Sequence, residues 1–213
     1  MMHKCLRVGL VIGLGGVARV GFGQVPSTWA PAAGTAHCIC WREGRLLEWE
    51  DFRATTFPRS APMAAASVGA VSATRSTLTP ITENGVPSYR VGCVFLRDSS
   101  WVNRGVIRTA AGRAATLAHE QLHFDIGELI ARKLRRRIAQ GLQAGEELYG
   151  PLASRDISGL QTQEDLLNNQ FDQEVVRVGG HRFEAPVRKR WQQRIARELS
   201  ALAAYKSTAT TCP

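Results

Sequence analysis

His119-Glu120-Gln121-Leu122-His123 lies inside a long stretch of helical periodicity. Residues four apart on a helix share a face, so both imidazoles can reach one metal ion. The glutamate beside the first histidine can then face a water held by that metal and take its proton. Five residues thus supply two zinc ligands, His119 and His123, and a general base, Glu120. The expected chemistry is metal-assisted hydrolysis, first of all of peptide bonds. At about 100° per residue, His119, Leu122, His123, Ile126, Ile130 and Leu134 form one stripe. Two histidines in the middle of an apolar stripe are either satisfied core residues or ligands facing a cleft. The spacing, with Glu between them, favours the metal.

The helical period around this motif runs from Ala114 to about Gln140, and Gly141 fits a C-cap. A second helix is expected from near Ser158, with Thr162 as an alternative cap, to about Phe171. Residues 176–183, with Gly179-Gly180, read as a loop. A final helix runs from Ala185 to about Tyr205, with Pro186 in its first turn and Trp191, Ile195, Leu199 and Leu202 on one face. Before the motif the pattern is strand-like. Ala36–Trp41 and Leu46–Trp49 flank a hairpin-like Arg42-Glu43-Gly44-Arg45, and Ser67–Thr74 and Tyr89–Leu96 are further strands. Pro58, Pro62, Pro80, Pro87 and Asn84-Gly85 punctuate them. Strands followed by helices point to one α+β domain over residues 36–205, with a polar tail at 206–213.

The chain has 213 residues and is 44% hydrophobic, enough for an ordinary globular core. Its start reads as a secretory signal over residues 1–23. Lys4 and Arg7 precede an apolar run, Val8 to Val17, too short to span a membrane, and Gly21-Phe22-Gly23 offers a cleavage site before Gln24. A retained N-terminal anchor is the alternative. Residues 24–35 are Pro/Ala/Gly-rich and read as a linker. Export to the periplasm or beyond leaves Cys38, Cys40, Cys93 and Cys212, an even count that suggests two disulfides. Cys38 and Cys40 are too close to pair in an extended segment, so each is expected to join Cys93 or Cys212. His37-Cys38-x-Cys40 as a metal site is disfavoured by export.

The net charge is +9, and residues 1–23 hold Lys4, Arg7 and Arg19 and no acids, so the mature chain would carry +6. Much of the excess is Arg132, Lys133, Arg135, Arg136 and Arg137, read as a solvated helix end complementing the dipole. Contact with acidic envelope polymers is a second use for this charge. Nucleic acid is a poor match, because no aromatic–basic interleaving accompanies it.

A hydrolytic zinc site usually takes three protein ligands. Glu128 lies about 180° from His119 and about 140° from His123 on a straight helix, so it cannot easily reach the same ion. An i,i+4 pair with Arg132 suits it better. Asp125 points away, at about 240° from His119. His181, in the Gly-rich loop, is the preferred third ligand, with Asp172 and Glu174 as alternates or as acceptors orienting a ligating histidine. The pattern does not single out an oxyanion stabiliser; Tyr149, Tyr205 or an arginine could serve.

With these residues assembled, the chain resembles a bacterial exported family classed as a domain of unknown function and numbered 922, whose hallmark helix has the form HEQxHFDIxEIxAR. Here it reads His119-Glu120-Gln121-Leu122-His123-Phe124-Asp125-Ile126-Gly127-Glu128-Leu129-Ile130-Ala131-Arg132. Leu47-Glu48-Trp49-Glu50-Asp51-Phe52, Ala64-Ala65-Ala66-Ser67 and Ser100-Trp101-Val102 resemble shorter family segments. Downstream, the family's Y-D-x-x-T-x-H-G is matched by Phe171-Asp172-Gln173-Glu174-Val175 and a displaced His181, without the Thr; that departure keeps Asp172 open as a ligand. The resemblance implies a zincin-like fold, with a small N-terminal sheet before the long HExxH helix and C-terminal helices. It also implies a zinc-dependent protease. Two other readings stand beside it: a non-catalytic exported zinc-binding or envelope-interaction module, and a zinc amidase acting on a cell-wall amide.

Overall fold

The computed structural model describes residues 37–57, 69–83, 85–146, 151–178 and 184–208. The signal and linker segments, Pro58, Pro62, Ala64–Ser67, Tyr149, His181 and Cys212 lie outside them.

Among the described residues, five strands come first: β1 (Cys38–Cys40), β2 (Ala70–Val71), β3 (Thr74–Glu83), β4 (Val86–Leu96) and β5 (Trp101–Val102). Three helices follow: α1 (Ala110–Gln143), α2 (Pro151–Arg177) and α3 (Glu184–Ala201). The architecture is mixed α+β. One antiparallel sheet has the order β1-β4-β3, and β2 pairs with β5 in a second.

The β3–β4 hairpin turns between Glu83 and Val86, with Gly85 at φ +76. Glycine adopts that left-handed conformation without the steric cost of a Cβ. Pro80 and Pro87, read from sequence as breakers, lie within strands. The sheet tolerates them because, among the described residues, β3 is an edge strand and β1 covers β4 only at Val94–Leu96. The expected Leu46–Trp49 strand does not form. Leu47 N–H donates to Gln121 Oε1 at 2.8 Å instead of to a strand, and Glu48 N–H donates to Asp51 Oδ2 at 2.9 Å, starting a 3-10 turn over Trp49–Asp51.

α1 is longer than its period suggested. Thr109 caps it, its hydroxyl accepting from Gly112 N–H at 3.0 Å, and the Ala-rich first turns carry it to the motif. Gly141 is inside the helix; the stop comes at Gly145, which has φ +70. α2 likewise begins earlier, at Pro151, a residue suited to a first helical position.

α1 is the middle layer. Phe124, Ala131, Leu134 and Ile138 pack on the sheet side with Trp41, Val91 and Phe95. Leu122, Ile126, Leu129 and Ile130 pack on the other side with Leu167, Phe171 and Val175 of α2 and Val187, Trp191 and Ile195 of α3. Each such buried side chain contributes about 1.5–3 kcal/mol relative to exposure. Burial on two faces is why polar residues of α1 also end up inside. No helix among the described residues is long and apolar enough to cross a membrane.

The basic run is solvated only in part: Arg136 is exposed, but Arg132 and Arg135 are covered. Arg132 is buried, its Nε donating to Glu128 Oε1 at 2.9 Å and its NH1 to Leu199 O at 2.6 Å. Arg135 donates to Val91 O and Tyr205 O, at 2.9 and 2.6 Å.

The expected pair of disulfides does not hold either. Cys40 is disulfide-bonded, but neither Cys38 nor Cys93 is in a disulfide. Cys40 pairs across with Val94 and Cys38 with Leu96, so both lie on the sheet face opposite Cys93, which faces α1 with Phe95. Cys93 Sγ sits 3.8 Å from Phe124 O, and burial pushes its thiol well up.

Candidate metal centre

α1 presents His119, Glu120 and His123 fully inside, at 0, 1 and 1% exposure. The two imidazoles meet at 3.0 Å between their Nε2 atoms. Each ring is held from behind through Nδ1. His119 Nδ1 donates to Glu184 Oε1 at 2.9 Å, and His123 Nδ1 donates to Asn168 Oδ1 at 2.8 Å. In the neutral form of each ring, with Nδ1 carrying the proton, the Nε2 lone pair turns toward the other ring. Phe171 packs against both rings, with centroids at 4.6 and 5.4 Å.

Asp172 closes the group. One turn of α2 separates it from Asn168, so both face α1. Its Oδ1 lies 3.2 Å from His119 Nε2 and 3.2 Å from His123 Nε2. That oxygen is buried and in hydrogen-bond geometry with neither ring. A buried carboxylate oxygen without a well-formed hydrogen bond is costly unless a positive charge lies against it. Two lone pairs at 3.0 Å repel unless something positive lies between them. Ligand atoms about 2.0–2.1 Å from a tetrahedral ion stand about 3.3 Å apart, close to the triangle of Nε2, Nε2 and Oδ1 found here. His119, His123 and Asp172 are therefore a donor set that could hold one metal ion.

The carboxylates beside the two rings favour their protonated forms. Burial pushes both imidazoles down, but the carboxylates against them more than reverse this. Asp172 and Glu184 bring His119 to about 9, and Asp172 with Glu120 brings His123 to about 9. Burial would raise Asp172, yet the two imidazoles hold it well below the usual carboxylate range.

Glu120 is anchored from the sheet. Ser72, which follows β2, donates its N–H to Glu120 Oε2 at 3.0 Å. That segment runs along α1: a Cβ on Gly69 would meet Thr116 Cγ2 at 3.3 Å, one turn before Glu120. Glu120 is close enough that its charge acts on His123.

The other expected residues are elsewhere. Glu174 lies two residues past Asp172 on α2, hence on another face, and accepts from Trp191 Nε1 at 3.0 Å. Tyr205 sits by Arg135, about four turns of α1 from His119. Asp125 accepts from Trp41 Nε1 and Gln121 Nε2, at 2.8 and 2.9 Å, tying α1 to the N-terminal segment; burial raises its carboxyl. Glu128 pairs with Arg132 at i,i+4, as its helical angle suggested. His37 Nδ1 meets Asp98 Oδ2 at 2.5 Å.

Asn168 and Glu184 were not anticipated as site residues. Asn168 stands one helical turn before Asp172, a spacing that offered a signal. Glu184 carried none, because its role arises only where the start of α3 docks on α1. Comparison with family models, curated proteins and solved structures gives no match.

Proposed function

We propose that this chain is an exported zinc-dependent metallopeptidase with a zincin-like fold, of the kind its HEQxHFDIxE-type helix resembles. The observation that carries the reading is the convergence of His119 Nε2, His123 Nε2 and the buried Asp172 Oδ1, all within 3.2 Å of one another. These three residues would hold Zn²⁺, with Asp172 in the place first assigned to His181. The ion, when bound, supplies Lewis acidity toward a carbonyl oxygen and toward water. Glu120 takes the proton of the attacking water and delivers it to the leaving amine. Ser72 N–H, on Oε2, sets the angle of that carboxylate. Glu184 and Asn168 keep both Nδ1 atoms protonated and both Nε2 atoms turned inward.

The test is metal content together with cleavage of a mixed peptide library, wild type beside Glu120→Ala. The expected result is bound zinc in both and hydrolysis in the wild type alone. Absence of zinc, with no uptake on addition, overturns the site; equal hydrolysis by both proteins removes Glu120 from the mechanism.

A second reading is supported by the burial of His119, Glu120 and His123 at 0–1%. On it the ion is a staple joining α1 to α2 in a non-catalytic exported module. A fourth protein ligand, seen by X-ray absorption of the zinc-loaded protein, would favour the staple; an oxygen from water would favour the hydrolase. Hydrolysis of a cell-wall amide rather than a peptide calls for the same residues, and the substrate library separates the two.

A further inference from the structure

We infer that Glu184 is the positioning residue that sets the strength of this metal centre, making His119 a better donor than His123; this rests on the metal reading above. The two ligating histidines are backed differently. Glu184 is fully buried, and its Oε1 is 2.9 Å from His119 Nδ1. Asn168 Oδ1 is 2.8 Å from His123 Nδ1. Both acceptors fix the same tautomer, but only Glu184 brings a negative charge. A carboxylate behind an imidazole pulls on the Nδ1 proton, and the electron density gained appears at Nε2, the atom that faces the ion. A neutral amide orients the ring with little of this effect.

Glu184 Oε1 also takes Arg188 NH1, at 3.3 Å. A purely structural account would assign Glu184 to this i,i+4 pair at the start of α3, with the histidine contact incidental. The two accounts separate cleanly. If Glu184 serves the pair, removing either partner has the same consequence. If Glu184 serves His119, removing Arg188 leaves the carboxylate on Nδ1 and the centre intact.

The experiment measures Zn²⁺ affinity by competition with a chromophoric chelator, and the visible spectrum of the Co²⁺-substituted protein, for wild type, Glu184→Gln and Arg188→Ala. Glu184→Gln keeps the shape and an acceptor and loses the charge. It should bind Zn²⁺ about 10–100-fold more weakly, with the Co²⁺ bands shifted because the His119 donor has changed. Arg188→Ala should stay within about threefold of wild type, with an unchanged Co²⁺ spectrum. Equal losses in both variants, or none in Glu184→Gln, overturn the inference and leave the metal reading standing. A wild-type protein that takes up no metal overturns both. Should Glu184→Gln fail to fold, Glu184→Asp replaces it; that carboxylate falls one methylene short of Nδ1 and must bind Zn²⁺ more weakly than Arg188→Ala.

Discussion

α1 carries two buried polar clusters, and they follow opposite rules. At Glu128 both carboxylate oxygens are satisfied within the protein. Oε1 accepts from Arg132 Nε, Arg135 NH1 and Ser207 N at 2.9, 3.1 and 3.1 Å, and Oε2 accepts from Arg135 NH2 and Ser207 Oγ at 3.3 and 2.7 Å. At His119–His123 the donors and acceptors converge without matching. Two Nε2 atoms face each other at 3.0 Å, and Asp172 Oδ1 is buried with no hydrogen bond. Burial and charge are alike in the two places, so neither distinguishes them. What separates them is completeness. The Glu128 cluster needs nothing further, whereas the histidine cluster reaches that state only around a shared proton or cation.

Breaking the complete cluster should have the largest effect, and on stability alone. Glu128→Ala leaves the guanidinium of buried Arg132 uncompensated and releases Ser207, and should cost about 3–5 kcal/mol in denaturant unfolding. Zn²⁺ affinity of the folded fraction should stay within about threefold. A large loss of affinity would mean that the two clusters are not separate.

Asp172→Asn is the converse experiment. It removes a proposed ligand rather than a supporting group, so Zn²⁺ binding should weaken by more than about 100-fold, beyond what outer partners contribute. Metal-free stability at neutral pH should fall modestly, since the carboxylate that favours protonated histidines is gone. Full retention of affinity would return the third-ligand role to a residue outside the triangle.

The pH dependence follows from the histidines, both brought to about 9 in the metal-free fold. Their folded values are raised, so the stability they contribute is fully present below about 6.5, the free imidazole value, and is lost as pH rises through about 9. Zn²⁺ must displace the same protons. Its apparent affinity should therefore climb between pH 6.5 and 9, by up to about tenfold per pH unit for each proton displaced, and level off above. Competition titrations across that range check this, and a flat profile would show that the imidazoles hold no proton for the metal to displace.

The smallest effect probes the packing between the clusters. A Cβ on Gly127 would lie 2.9 Å from Cys93 Sγ, inside the interface of α1 with β4. Gly127→Ala should destabilise by about 1–2 kcal/mol from overpacking, after the helix-propensity gain offsets part of the strain. Adding Cys93→Ala removes the clashing sulfur and should recover most of that loss. Thermal melts of the single and double variants decide it; equal melting temperatures for Gly127→Ala and wild type would show that Cys93 yields freely.

Much of α1 was legible because its signals are local. The His119, Leu122, His123, Ile126 stripe and the Glu128–Arg132 pair depend on one helical period and on nothing outside the helix. Leu46–Trp49 misled because its alternation is strand-like, while its backbone is claimed by Gln121, seventy-four residues after Leu47. The basic run misled for a related reason. Its polarity suggested solvent, but α1 is covered on both sides, and Arg132 and Arg135 find Glu128 and the C-terminal carbonyls instead. Cys93 was assigned to a disulfide without regard to the sheet face, which only the β1–β4 register reveals.

By itself, then, the sequence determined that His119, Glu120 and His123 share one region of a buried helix, because i,i+4 geometry holds wherever the helix forms. Only the tertiary structure decided what surrounds them. Asn168, Asp172 and Glu184 lie 45 to 65 residues away along the chain and come within hydrogen-bonding reach of the histidines through the docking of α2 and α3 on α1. That docking is set by apolar burial spread over many side chains, which carries no motif, and it turns a pair of histidines into a three-atom centre.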